Sequence, residues 1–353
     1  MNKHPVTIKD IARELGVSPS TVSRALKDHP DIGVETKRMV RELVEKLNYK
    51  PNSIALSLRS RKSHIIGVIV PQMVHHFFSS VISGIEEVSM EKGYNVMIFQ
   101  SNEEYEREVL NTRSLISSRV DGVLVSIAKT SHQFSHFKEI IKNDIPLVFF
   151  DRVCDEVETD KIVVDDFTGA FDAVEYLIKT GCTRIAHFAA PQHMQIGYRR
   201  QRGYISALEK NGLTVDDSLI VKCDTHDEAL VVTEKMMQAL NPPDAIFAVN
   251  DLTATGVLKK LKKLNLQVPE DVSVIGFTDG LVATVTDPPL TTVSQHGFEL
   301  GKKAAQILLE RIHTGMDTVH PITEVIPTEL VIRESTRPLM KNRDNDTFSK
   351  IGA

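Results

Sequence analysis

The sequence predicts an all-α helix-turn-helix headpiece, then an α/β core of two doubly wound parallel-sheet lobes. Three observations carry this expectation. Near the start, two short helical patterns flank a Gly-Val-Ser turn. After Ile65 the pattern switches to buried apolar runs alternating with amphipathic stretches. The charge is also split: residues 1–63 hold 13 Lys+Arg against 7 Asp+Glu, a surplus of +6, and a chain total of −5 leaves −11 for the rest. A basic head on an acidic body points the head, and not the body, toward a polyanion. With 353 residues, 41% hydrophobic and 25% charged, the chain suits two or three domains, and disordered, collagenous and disulfide-scaffold classes are excluded.

In the headpiece, Thr7 and Asp10 have capping-box spacing before the apolar positions Ile8, Ile11, Ala12 and Leu15, and Gly16 ends that helix. Ser18 is the N-cap and Pro19 the first residue of a second helix carrying Val22, Ala25 and Leu26. A third helix runs from about Val34 to Leu47. Pro51 stops it, and Asn52–Leu58 is too short for a stable isolated helix, so residues 51–63 read as a linker that folds conditionally. Core strands are expected at Ile65–Val70, Val96–Gln100, Gly122–Ser126, Leu147–Phe150, Ile185–Phe188, Ala245–Ala248 and Val272–Gly276. Helices are expected at about 78–92, 104–118, 132–143, 167–180, 199–211, 228–240, 252–264 and 298–313. In open sheets of this kind ligands bind beyond the carboxyl ends of the strands. The polar tail 338–353 is expected to be disordered.

Several segments together resemble the lactose-repressor (LacI-type, or lactose and galactose repressor) family of bacterial transcriptional regulators. They are Val6-Thr-Ile-Lys-Asp-Ile-Ala12, Gly16-Val-Ser18, Thr21-Val-Ser-Arg24, Leu47-Asn-Tyr49, Pro51-Asn52, Ile66–Pro71, Val120–Leu124, Ile145–Asp151, Val268–Phe277 and Pro288–Val293. The likeness spans residues 6 to about 337. It implies a headpiece (1–50), a hinge helix and linker (51–63), and an effector-binding and dimerisation core (64–337) resembling periplasmic sugar-binding proteins. It also implies lobes that exchange strands: 65–161 plus 292–322, and 162–290 plus 323–337.

The same resemblance assigns site residues. In the major groove it places Pro19 and Ser20 at variable base-reading positions and Thr21, Ser23 and Arg24 at more constant ones, with the cap residues Thr7 and Ser18 beside them. Arg24 is the one long donor, suited to guanine O6 and N7. In the hinge, Asn52, Ala55 and Leu58 fall on minor-groove positions, Leu58 as the wedge between central base pairs. The effector pocket would comprise Phe78, Asp151, Asp165, Arg200, Asn250, Asp251, Thr278 and Asp279, with Arg200 the main anchor of a sugar or sugar phosphate. Two departures stand out: Thr278 replaces the first residue of an acidic pair, and Thr225 replaces an aromatic after Asp224.

Other spacings are read as bland. His132 and His136 stand at i and i+4 on an expected helix, as a solvated face. Cys223 and His226 are an accident of spacing, and His75-His76 lies on the loop after the first core strand, on the surface or at the border of the cleft. Cys154, Cys182 and Cys223 form no CxxC pair. Neither GxGxxG, GxxxxGK[ST], GxSxG nor HExxH occurs, which counts against a nucleotide-dependent enzyme or hydrolase. No apolar leader opens the chain and no membrane-length apolar run occurs, which counts against a transport-type binding protein and suggests a cytoplasmic setting. The expected protein is a non-enzymatic, cofactor-free regulator whose partners are palindromic double-stranded operator DNA, a second copy of itself and a small-molecule effector, with no membrane. Relatives that form tetramers use a C-terminal leucine heptad, and Met340–Ala353 has none. Light scattering of the purified chain at micromolar concentration should therefore give a dimer mass; a stable tetramer would contradict it.

Overall fold

A computed structural model describes residues 6–49, 62–315 and 320–339. The linker residues Asn52, Ala55 and Leu58 and nearly all of the C-terminal tail lie outside the described residues. The chain divides into two compact units, Met1–His64 and Ile65–Ala353. In the first, α1 (Ile8–Glu14), α2 (Pro19–Leu26) and α3 (Val34–Lys46) close on Ile11, Ala12, Val22, Ala25, Val40 and Leu43. The capping arrangement at α1 is carried by Asp10, whose Oδ2 accepts from Thr7 N–H at 2.9 Å and Thr7 Oγ1 at 2.6 Å. Gly16 turns the chain at φ +64°, the left-handed conformation a helix C-terminus asks of glycine, although a Cβ there would meet nothing within 4 Å.

The second unit holds two six-stranded sheets. The strands are β1 (Ile65–Val70), β2 (Asn95–Gln100), β3 (Gly122–Val125), β4 (Leu147–Phe150), β5 (Asp160–Val164), β6 (Ile185–Ala189), β7 (Ile220–Lys222), β8 (Ala245–Ala248), β9 (Ser273–Thr278), β10 (Thr291–Ser294), β11 (Thr323–Ile326) and β12 (Glu329–Val331). One sheet runs β11-β5-β4-β3-β1-β2, all parallel; the other runs β12-β10-β9-β8-β6-β7, with β12 alone antiparallel. The helices are α4 (His76–Glu91), α5 (Tyr105–Ser117), α6 (Ser135–Lys142), α7 (Asp166–Lys179), α8 (Gln195–Lys210), α9 (His226–Met237), α10 (Asp251–Lys263), α11 (Leu281–Val285) and α12 (Gly297–Thr314). Strand β1 shows why the sheets need helices on both sides. Its Ile66, Val68 and Val70 pack with Val81, Ile85 and Leu308, while Ile69 joins Leu115, Phe137 and Val125 on the other face.

The lobe boundaries differ from the expected ones. Strand β5 continues to Val164 in the first sheet, and β11 (323–326) pairs with it, so that strand belongs to lobe one and not to lobe two. Strand β10 pairs with β9 and belongs to lobe two, although 292 onward was expected in lobe one. The reason is that β5, β7, β10, β11 and β12 are three to five residues long and interspersed with Thr, Asp, Glu or Lys. Such segments carry little periodic signal, and their sheet is set by hydrogen-bond register. The chain consequently passes between sheets three times, at 164–166, 294–297 and 326–329. Two passages lie side by side, with Asp165 N–H donating to Ile326 O at 2.9 Å.

Helices α4 and α12 cross closely because glycine faces backbone on both. A Cβ on Gly84 would stand 2.1 Å from Phe298 O, and one on Gly301 2.0 Å from Val81 O. Gly301→Ala should force the helices apart and destabilise lobe one by about 1–3 kcal/mol, the usual cost of overpacking. A thermal melt showing an unchanged midpoint would refute this packing account.

Candidate functional site

The headpiece presents α2 with its apolar side buried and its polar side outward. Ser18 Oγ accepts from Thr21 N–H at 3.1 Å and shares hydrogen bonds with Ser20 Oγ (2.7 Å) and Thr21 Oγ1 (2.9 Å), so the first turn is fixed before any contact with a ligand. Pro19, Ser20 and Arg24 are exposed, Thr21 and Ser23 half-buried, and Thr7 is exposed at the start of α1. The Arg24 guanidinium makes no ion pair with the headpiece's own carboxylates, unlike Arg13, Arg38 and Arg41. A short polar helix face with one long donor that has no ion-pair partner among the described residues is the arrangement that major-groove reading requires.

In the core, a cavity of about 540 Å³ opens between the lobes at the carboxyl ends of the strands. Lobe one contributes the segment after β1 (Gln72, then Val74–Phe78), with Glu103, Lys129, Asp151 and Arg152. Lobe two contributes residues beyond β6 to β9, among them Met194, Arg200, Asp224, Asn250, Asp251 and Thr278. Six of the eight expected pocket residues thus line this cavity, from both lobes: Phe78, Asp151, Arg200, Asn250, Asp251 and Thr278. Asp165 and Asp279 do not lie on it. Asp165 caps α7 by accepting from Thr168 N–H at 3.1 Å, and Asp279 pairs with Arg333 at 2.6 Å.

Each wall residue is already embedded in a local structure. Asn250 caps α10 through Thr253 N–H (2.8 Å) and donates to Asp224 O (3.0 Å). Asp251 accepts from Thr292 Oγ1 (2.5 Å) and Gly280 N–H (2.9 Å); a Cβ at Gly276 would sit 2.3 Å from this carboxylate, so glycine makes its room. Arg200 is buried, its Nε and Nη2 at 2.8 Å from Asp166 Oδ1, its Nη1 donating to Val249 O at 2.6 Å, and its plane 3.7 Å above Phe277. Asp151 is buried with a left-handed φ of +59°, and Ser126 Oγ donates to it at 3.1 Å. Burial pushes its carboxyl up to about 6, Arg152 acting against that and Asp166 adding to it.

Sequence reasoning passed over Lys129, Glu103 and Arg152. Lys129 donates its N–H to Glu103 (2.8 Å) and reaches across the mouth to Asp224 (2.5 Å), and its carbonyl bonds His193 Nε2 of the other lobe (2.9 Å). Arg152 directly follows Asp151 at the end of β4, so position alone marks it. The histidine expectations also change. Helix α6 starts at Ser135, leaving His132 on the loop against the His193 ring (4.8 Å between centroids). His136 is no solvated residue: it is buried on Glu108 (3.0 Å), which also accepts from Ala128 N–H and Ser131 Oγ, both at 2.6 Å. His75, His76 and His226 line the cavity. All three cysteines are buried and free. Among the described residues no cluster of three metal-ligating side chains occurs, and no helix is long and apolar enough to cross a membrane.

A capped helix-turn-helix headpiece joined to a bilobal core with a cavity at its strand ends defines a DNA-binding regulator with a ligand-sensing core. Comparison with known proteins agrees: residues 7–52 match the bacterial regulatory proteins, lacI family, and residues 174–336 the periplasmic binding protein-like domain. The chain is 33% identical over 337 residues to the HTH-type transcriptional repressor CytR of Escherichia coli (strain K12), covering 94% of this chain and 97% of that one. It superposes on the Lac repressor dimer bound to operator and the anti-inducer ONPF with a TM-score of 0.83 at 25% identity, covering 95% and 100% of the two chains. On a transcriptional regulator CelR–cellobiose complex the TM-score is 0.71 at 27% identity, with 94% and 99% covered. The chain belongs to the lacI family of bacterial regulatory proteins, which are regulators and not enzymes.

The environment of Asp151 has a measurable consequence. Its folded-state pKa lies above its unfolded value, so the folded protein holds the extra proton, and stability falls as pH rises from about 4 to about 6. Asp151→Asn should raise the unfolding free energy at pH 7 by about 2–3 kcal/mol, because the buried carboxyl titrates up at about 6. That gain should vanish below pH 4. Parallel melts at pH 7 and pH 3.5 that show no difference between the two conditions would contradict it.

Proposed function

We propose that this protein is a sequence-specific transcriptional repressor whose operator affinity is controlled by a small sugar-like effector bound between the core lobes. The cavity at the strand ends carries this reading. Its volume is in the range of small-molecule sites, and its wall alternates donors and acceptors beside Phe77 and Phe78. Hydroxyl groups both donate and accept, and a sugar's C–H face packs on a ring, so a polyol suits that wall. The CelR neighbour, a cellobiose complex, supports the class of ligand.

The control of DNA follows from the connections. Three passages of chain join the lobes, so a ligand touching both favours one relative orientation of them. A homodimer that places two headpieces on a palindromic site converts that orientation into a change in half-site spacing. Effector and operator are then coupled, each altering the other's affinity by the same factor. The headpiece reads DNA through Ser20, Thr21, Ser23 and Arg24, with Thr7 and Ser18 holding the helix starts, and Asn52, Ala55 and Leu58 serve the minor groove. This work belongs in the cytoplasm, where the chromosome is.

The test starts by selecting the operator from random duplexes with the full-length protein and measuring affinity by fluorescence anisotropy. Arg24→Ala should weaken the selected operator by about 1–3 kcal/mol, the worth of one bidentate base contact, and relax the preference at one guanine. Addition of a cavity ligand to the wild type should shift the operator curve. Equal binding of selected and random duplexes by the wild type would sink the reading.

A further inference from the structure

The contacts between the lobes at the rim of the cleft centre on one short loop, residues 128–131, which follows β3. Each of its four residues is tied to the segment 103–108 of the same lobe. Glu108, wholly buried, accepts from Ala128 N–H and Ser131 Oγ, both at 2.6 Å, and bonds His136 Nε2 at 3.0 Å. Glu103 Oε2 accepts from Lys129 N–H at 2.8 Å. Thr130 Oγ1 donates to Glu103 O at 2.9 Å and accepts from Tyr105 N–H at 3.0 Å. The loop has no helix or strand of its own, yet lobe one alone fixes its course.

What this braced loop offers the other lobe is Lys129. Its ammonium donates to Asp224 Oδ2 at 2.5 Å, just beyond β7, and its carbonyl accepts from His193 Nε2 at 2.9 Å. Beside it the His132 and His193 ring centroids stand 4.8 Å apart, and Gln195 Nε2 donates to Asp155 Oδ2 at 2.7 Å. Each of these contacts joins lobe one to lobe two, and each is made by the protein's own atoms. The large apolar clusters lie within one lobe or the other, so the rim parts without breaking them.

The ion pair can also be released without stranding a charge. The Asp224 side chain is 6% exposed, and Lys222 of the same lobe stands 3.6 Å from its other oxygen. Separation of the lobes therefore leaves that carboxylate beside a cation. Lys129, already 28% exposed, passes into water. A buried charge left alone would make opening prohibitive; here neither partner is left so.

We infer that Lys129, held out by the loop 128–131, is a latch that keeps the cleft closed before an effector binds, and so sets the operator affinity from which an effector starts. The closure stands on the lobe contacts alone; the effect on operator affinity rests on the reading of the core as the controller of DNA binding. The latch acts through the orientation of the lobes and not through contact with a ligand. An orientation held by one releasable pair is only modestly favoured, and an effector that prefers either orientation shifts it.

The experiment measures lobe separation in the full-length protein by double electron–electron resonance, without sugar or DNA. Nitroxides are placed through Lys138→Cys on α6 and Glu209→Cys on α8, both exposed positions, while Cys154, Cys182 and Cys223 are buried. Singly labelled chains give the distances between protomers, which are subtracted. Lys129→Met, Asp224→Asn and the two together should melt near the wild type, and each should give a longer and broader distance distribution. The double variant should match the single ones, because either change removes the same pair. On the operator selected above, all three should share one altered affinity, about fivefold or more from the wild type. Lys129→Gln repeats the test should Asp224→Asn fail to fold. An unchanged or shorter distance in a single variant overturns the latch, whatever the melt shows, and so does a double variant longer than both. A longer distance with unchanged operator affinity keeps the latch and overturns the coupling of lobe orientation to DNA.

Discussion

The core depends on a constraint of chain topology: two sheets are tied by three passages of one chain, at 164–166, 294–297 and 326–329. A single linker would leave the lobes free to rotate, and a continuous sheet would forbid movement altogether. Three passages, two of them joined by the Asp165 to Ile326 hydrogen bond, permit a limited opening. They also direct the carboxyl ends of both sheets toward one space. The residues that line the cavity come from the segments after the strand ends and from the helices that follow them, among them Asp151, Phe78 and Arg200.

Ionisable groups within that space are arranged in pairs. Lys129 with Asp224, Arg152 with Glu103 and Arg200 with Asp166 each neutralise a charge that isolated burial would make prohibitive. One of these pairs spans the two lobes, and His193 and Gln195 add interlobe hydrogen bonds to Lys129 O and Asp155. The protein thus holds its cleft together with polar contacts at the rim, which water and a ligand can exchange, and keeps its apolar packing inside each lobe. Asp151 and Asp251 are not paired in this way; Asp151 carries a left-handed backbone and a raised pKa, and it lies beside Arg152, whose buried Nε has no hydrogen-bond partner among the described residues.

The headpiece was legible almost residue by residue. Thr7, Asp10, Gly16, Ser18 and Pro19 each do locally what their chemistry dictates, because caps and turns depend on neighbours within four residues. Long apolar runs such as Ile65–Val70 and Leu147–Phe150 were equally plain, since strands covered on both faces must be apolar throughout. Six cavity-lining positions were legible through the family resemblance. Arg152 and Lys129 were not, although the rule that ligands bind beyond strand carboxyl ends would have flagged both.

The amino-acid sequence by itself determined the class of protein: a capped DNA-reading headpiece, a basic head on an acidic body, and a parallel α/β core, all written in short-range pattern and composition. Tertiary structure decided which sheet takes the short strands β5, β10, β11 and β12, and so where the lobes divide. It also decided that Asp165 caps α7, that Asp279 pairs with Arg333 and that His136 is buried on Glu108. These outcomes depend on partners that are distant in sequence, such as Arg200 with Val249 or Lys129 with Asp224, 95 residues apart. A residue's own type and spacing state what it can bond; only the fold states whether that bond has already been made.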